Sequence, residues 1–452
     1  MRDTIRSSPM NRRCFLETSA LTLGSLAGAS TLLNGCTTIL TPESEATLTV
    51  MYGVGELSHD QVAEFEQQTG ITVTQLEYDA TRLNAMLAAG IPPDFIRTQG
   101  APEVPNLVAR DLVLDLTPYF EKSTVLKAEN LEPVNDVYRW DRATKTQGKG
   151  PRYGMAKDWS QDVMLWYNKK VFDQAKVPYP SATQPLTYNE LLDVAKQITV
   201  RQGDRVAVYG LDATWGFIMQ GHLLQMLGQK GETLFSPDFT QARFNSPAVK
   251  DIFKWYVDWA QAHVGPSPLN PEAAGSSVLF ASGRLGMVLF GYWFGGSVIS
   301  APKEIQDTTG FAPAPQWGSE RISACMAGTG AWIPKNARHP DEAWKFMEYF
   351  MGDGPAKDRA QSGWGLPALK SLTSLLPQKL PYQKSALQAQ QAEYPYLKIL
   401  QFSPYANYNG IEALITKYIE PVMRGQTSLD AACDQLNAAV NKLLQQGISL
   451  TV

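Results

Sequence analysis

Cysteine and histidine are scarce in this chain, with four of each among 452 residues. The histidines, His59, His222, His263 and His339, are scattered and make neither an H-E-x-x-H helix nor a close pair with a second ligand, so no zinc site is indicated. No G-x-x-x-x-G-K phosphate loop and no G-x-S-x-G nucleophile turn occurs, and Gly53-Val54-Gly55 lacks the third glycine of a dinucleotide fingerprint. Basic charge is not in excess: 40 Lys and Arg stand against 44 Asp and Glu, which argues against nucleic acid as a partner. No cofactor and no resident metal is expected. There is also no apolar run of the roughly 20 residues that a membrane-spanning helix needs.

What the chain does have begins at its N-terminus. Arg12 and Arg13 precede Phe15, Leu16 and a 16-residue uncharged run from Thr18 to Leu33. A basic start, a short apolar core and a small-residue exit describe an export signal. Asn11-Arg12-Arg13-Cys14-Phe15-Leu16 resembles the twin-arginine motif, and Leu33-Asn34-Gly35-Cys36 resembles a lipobox with Asn34 in place of the usual small residue. Residues 1–35 are therefore expected to be removed, Cys36 to be lipidated, and 36–45 to form a polar tether. The remaining 417 residues carry a net charge of −6. In that product only Cys325 and Cys433 are left besides Cys36. Two cysteines are no disulfide framework, so they are expected to be free, buried thiols.

From Thr47 the pattern alternates between strand and helix. Thr47–Tyr52, Ile71–Leu76 and Asp94–Thr98 read as strands. Between the first two, Ser58 can cap a helix whose Val62 and Phe65 share a face and which Gly70 can end. Thr187 and Glu190 have the spacing of a capping box, which starts a helix to Thr199. Further helices are predicted at 216–227, 247–262, 340–351, 410–424 and 428–446. This alternation is the signature of an α/β fold whose mostly parallel sheets are flanked by helices. In such sheets ligands sit beyond the carboxyl ends of the strands, which singles out the loops 53–57 and 97–102.

Three stretches then carry a resemblance. Tyr153-Gly154-Met155-Ala156-Lys157-Asp158-Trp159, Leu165-Trp166-Tyr167-Asn168-Lys169-Lys170-Val171-Phe172 and Thr187-Tyr188-Asn189-Glu190-Leu191-Leu192 occur in this order. Ala88–Asp94, Phe280–Met287, Gly291-Tyr292-Trp293 and Pro340–Phe346 extend the match. Together they resemble extracellular solute-binding protein family 1, with Ala156 and Tyr188 as departures from the family's proline and tryptophan. The resemblance implies a two-lobed periplasmic-binding-protein-like fold with three hinge crossings. By position, one lobe is 46–157 plus 320–362 and the other is 158–318 plus 365–452. It also implies a non-enzymatic, monomeric protein that captures a sugar or polyol outside the cytoplasm and delivers it to the permease of an ABC transporter.

A sugar site needs flat aromatic faces for the C–H side of the ring and hydrogen-bonding groups for the hydroxyls. The resemblance places Tyr292 and Trp293 in the cleft. Trp215, Trp364, Tyr405 and Tyr408 are the other aromatic residues in polar loops, and Trp159 sits at the first crossing. Glu56, Gln99 and Asp158 are the polar candidates, with Arg97 behind them, and Gly328-Thr329 can bring backbone N–H groups close to a ligand. Trp255, Trp259 and Trp344 fall on helices and read as core. Two other functions stay open. Paired carboxylates would suit an exported carbohydrate-active enzyme, and Tyr405 with Tyr408 would suit a ferric-ion-binding protein.

Overall fold

The structure is a computed structural model that describes residues 47–213, 219–325 and 328–451. Local sequence signals set its helix ends. Ser58 accepts from the Gln61 N–H and Gln61 returns a bond to the Ser58 N–H, closing a capping box on helix His59–Thr69, which Gly70 ends at φ 71°. Thr187 and Glu190 do the same for helix Tyr188–Ile198. Val62 and Phe65 are buried as their spacing requires.

Two five-stranded sheets organise the chain. The first runs Thr72–Glu77, Thr47–Tyr52, Phe95–Thr98, Gly330–Trp332, Met155–Ala156. The second runs Thr309–Ala312, Leu165–Asn168, Leu285–Leu289, Arg205–Asp212, Val200–Gln202. The sheets are mixed, which corrects the expectation of mostly parallel ones. Thr47–Tyr52 is parallel to both its neighbours, and Arg205–Asp212 is parallel to Leu285–Leu289. The other pairs within these sheets are antiparallel. The reason is the route of the chain. A parallel neighbour needs a long crossover, usually a helix. Met155–Ala156, Leu165–Asn168 and Gly330–Trp332 instead flank segments that travel directly from one sheet to the other.

Among the described residues those passages are three. The chain leaves the first sheet after Ala156 and joins the second at Leu165, and it returns between Ala312 and Gly330. It crosses again near Leu366–Pro367, which pairs antiparallel with Asp158–Trp159, before helix Pro381–Glu393 packs on Thr309–Ala312. Each sheet has its own aromatic core. Tyr52, Phe65, Phe95, Phe346 and Phe350 interlock on the first. Trp166, fully buried, anchors the second against Phe294, Phe311 and Tyr382. Trp255, Trp259 and Trp344 are buried as their helical positions imply, and Cys325 and Cys433 are both buried.

Candidate functional site

A cleft of about 370 Å³ opens where strand ends and crossings meet. Glu56 follows the first strand, and Arg97, Gln99 and Pro102 come from the end of Phe95–Thr98 or just beyond it. Leu289, Phe290, Gly291 and Trp293 follow or end the strand Leu285–Leu289. Lys157, Asp158, Gly328, Thr329 and Trp364 come from the crossings. The carboxyl-end rule for α/β sheets therefore locates the site.

One wall is charged but internally neutralised. The Arg97 Nε lies 3.0 and 3.1 Å from the two Glu56 oxygens, and its Nη2 lies 2.7 Å from Oε1. Burial works against the guanidinium's charge, but the bonds and charge of Glu56 outweigh it, and its pKa rises further. Gly53 makes room for this pair: a Cβ there would stand 2.8 Å from the Glu56 carboxylate and 3.0 Å from Arg97 Nε. Lys157 and Asp158 form a second pair at 2.7 Å with side chains only 3% and 10% exposed. Gln99 is held by its backbone N–H, which donates to the Glu103 carboxylate at 3.0 Å. Burial raises the Glu103 pKa, and bonds from Thr98 and Gln99 oppose that rise.

Another part of the lining is aromatic. The Phe290 and Trp293 rings are 4.8 Å apart at 40°, and Trp293 and Trp364 are 6.5 Å apart at 38°. Two glycines allow this. A Cβ on Gly291 would meet Ser160 Oγ at 2.1 Å, and one on Gly296 would meet the Trp364 ring at 2.3 Å. Trp364 rests on Gly296 and still keeps 44% of its surface exposed. Such tilted faces suit the C–H side of a saturated ring, while the polar residues of the lining offer donors and acceptors.

Of the residues singled out from sequence, Glu56, Gln99, Asp158, Trp293, Gly328, Thr329, Trp364 and Arg97 line the cleft. The others lie elsewhere. Trp159 is buried at the crossing, where its indole donates to the Pro367 carbonyl at 3.0 Å. Tyr292 is 3% exposed, and burial pushes its phenol up to about 12. Tyr405 lines a separate small groove with Trp140 and takes the Lys145 ammonium over its ring. Tyr408 is buried at the start of helix Tyr408–Met423, so the two tyrosines occupy different surroundings. Trp215, Cys36, Arg12 and Arg13 lie outside the described residues.

Sequence reasoning missed Lys157, Asp162, Phe290 and His222. His222 gave no signal, because it sits within a helix and its partner, the Tyr256 hydroxyl at 3.1 Å from Nδ1, is 34 positions away. Burial pushes its pKa down to about 4. An unfolded histidine titrates near ~6.5, so between these values the unfolded chain binds more protons. Stability is therefore fully present above about pH 6.5 and is lost as pH falls toward about 4, by up to ~3 kcal/mol. Urea titrations of wild type and His222→Gln across this range should show a shallower acid slope in the variant. An unchanged slope would assign the acid sensitivity to other groups.

The arrangement is that of a two-lobed α/β receptor with a small-molecule cleft between its sheets, and comparison with known proteins agrees. The chain belongs to the family of bacterial extracellular solute-binding proteins, whose model matches residues 55–357. Membership makes it an exported protein. Among the described residues no helix is long and apolar enough to cross a membrane. Comparison with curated proteins finds no match. Among solved structures, an ABC substrate-binding protein from Listeria monocytogenes in complex with cycloalternan is similar at TM-score 0.72 and 22% identity, covering 88% of this chain and 98% of that one. An ABC transporter solute-binding protein from Thermotoga lettingae bound with α-D-tagatose gives TM-score 0.72 and 22% identity over 88% and 100%. One from Agrobacterium vitis with bound D-mannitol gives 0.66 and 20% over 88% and 97%. At these identities the likeness establishes the shared fold.

Proposed function

We propose that this protein captures a neutral sugar or polyol in the cleft and delivers it to the permease of an ABC importer. The observation that supports this most directly is a cleft lined both by the aromatic cluster Phe290, Trp293 and Trp364 and by the polar residues Glu56, Gln99, Asp158 and Thr329. The ligands in the similar structures, cycloalternan, tagatose and mannitol, are all polyhydroxylated and uncharged. Charge pairing favours the same class. Arg97 is engaged by Glu56 and Lys157 by Asp158, so neither cation is spare for a phosphate ester. It also favours binding without turnover, since Glu56 and Asp158 are held in ion pairs rather than poised as general acid and base. In this reading residues 46–157 with 320–362 form one lobe, 158–318 with 365–452 form the other, and they close on the ligand by hinge motion as a monomer. A calorimetric and thermal-shift screen of the mature domain against sugars and polyols tests the proposal. Saturable binding with recovery of unaltered ligand is expected. Turnover of the ligand, or preference for phosphate esters over every neutral sugar, would overturn it.

The export reading extends the proposal to the membrane. Cys36 would carry a lipid and Arg12-Arg13 would direct twin-arginine export. Cys36→Ala should lose labelled fatty acid and leave the membrane fraction or stay unprocessed. Lysine at both Arg12 and Arg13 should strand precursor in the cytoplasm. Fatty-acid labelling of the Cys36 variant would remove the anchor, and undiminished export of the lysine variant would remove the route.

A further inference from the structure

Among the described residues Gln99 brings the only carboxamide to the cleft lining. A carboxamide both donates and accepts, as a sugar hydroxyl does, whereas Glu56 with Arg97 and Lys157 with Asp158 are already engaged with one another. Where Gln99 stands depends on the loop that carries it. Strand Phe95–Thr98 ends one residue earlier, so the loop needs another anchor.

Glu103 supplies it from behind. Its carboxylate oxygen Oε2 accepts from the Thr98 hydroxyl at 2.6 Å and from the Gln99 N–H at 3.0 Å. The Thr98 hydroxyl in turn accepts from the Gly100 N–H at 3.0 Å, and the Glu103 N–H donates to the Gly100 carbonyl at 3.1 Å. Gly100 stands at φ 90°, a conformation open to glycine, and this lets the loop turn so tightly. Gln99 and Pro102 of this loop line the cleft, but Glu103 does not. It is half-buried and lines a second, separate cavity of about 650 Å³, whose lining also includes Tyr78, Trp332 and Asn409. Helix capping does not account for it either. Glu103 occupies the cap position of helix Val104–Ala109, yet its side chain makes no capping bond and turns back to the loop instead. Burial disfavours its charge, and the bonds from Thr98 and Gln99 oppose that effect.

We propose that Glu103 is a positioning residue of the ligand site: its carboxylate fixes the loop that presents the Gln99 carboxamide, and it contributes to affinity without touching the ligand. This inference rests on the sugar reading of the cleft and adds to it a residue that the cleft lining does not contain.

Site-resolved amide exchange on the ligand-free protein, combined with calorimetric titration of D-tagatose, D-mannitol and cycloalternan, tests this. Glu103→Met keeps the length of the side chain and removes the acceptor. The Gln99 amide should then exchange at least about tenfold faster. The compound that binds wild type should bind this variant about tenfold more weakly, a change of about 1.4 kcal/mol. Glu103→Gln keeps one acceptor oxygen, which is enough because both bonds converge on Oε2. It should bring exchange and affinity to within about threefold of wild type. Glu103→Asp draws the oxygen back by one methylene, should fall between the two, and replaces the methionine variant if that one does not fold. A residue that only supports the fold would lower the urea midpoint of the methionine variant and leave the affinity of the folded protein unchanged. That result would overturn the positioning role and leave the sugar reading standing. Unchanged exchange at Gln99, or a glutamine variant as weak as the methionine one, would do the same. Failure of all three compounds to bind wild type would overturn the sugar reading and the positioning role with it.

Discussion

Trp293→Ala is expected to weaken ligand binding by about ten- to a hundredfold, because an aromatic face lost from a sugar ring removes about 1.5–3 kcal/mol of buried contact. Stability should fall little, by about 1 kcal/mol, since the indole is only partly buried, packing on Phe290 and edge-on to Phe294 while it tilts toward the half-exposed Trp364. Trp166 provides the contrast within the same protein. It is fully buried, donates to the Gly291 carbonyl at 2.9 Å and meets three aromatic rings. Trp166→Ala should cost about 3–5 kcal/mol. Any effect of Trp166→Ala on affinity would come indirectly, through the position of Gly291. Calorimetry and urea unfolding on both variants separate the roles. A Trp293 variant that binds normally but is destabilised like the Trp166 variant would move Trp293 from the cleft to the core.

Much of this arrangement was legible because it is local. Capping boxes, the glycine at residue 70 and the alternation of strand and helix are readable within a few positions, and they place the loops of Glu56 and Gln99 at strand ends. What failed to be legible depends on which way a side chain points. Asp158 and Trp159 were both expected in the cleft, yet they are successive residues of one strand and such neighbours face opposite sides. Asp158 lines the cleft, while Trp159 turns to the Pro367 carbonyl. Tyr292 and Trp293 divide in the same way within one tight turn: the first is buried and the second lines the cleft. The mixed sheets were hidden for a different reason. Strand type is written in periodicity, but strand direction depends on whether the chain arrives through a helix or straight from a crossing. His222 and the second cavity needed contacts from distant segments that no spacing announces.

Those crossings also set a large expected loss of stability, at Lys157. Its ammonium and the Asp158 carboxylate are 2.7 Å apart with almost no exposed surface. Glycines let the chain close in on Asp158: a Cβ at Gly328 would touch the Asp158 carbonyl at 2.8 Å, and one at Gly365 would touch Asp158 Cβ at 2.9 Å. Removing one member of a buried pair strands the other, which typically costs about 3–5 kcal/mol. Arg359 moderates this. It is partly buried, donates to the Phe350 carbonyl at 2.6 Å and feels the Asp158 charge, so it can take up part of the carboxylate left behind. Lys157→Met should therefore fall at the lower end, about 3 kcal/mol. Adding Asp158→Asn to Lys157→Met removes the stranded charge and should recover more than half of that loss, because replacing both partners of a buried pair is often close to neutral. Urea unfolding of the two single variants and the double variant measures this coupling. A Lys157→Met loss below about 1 kcal/mol, with no recovery in the double variant, would mean that water reaches the crossing and that the pair behaves as a surface ion pair.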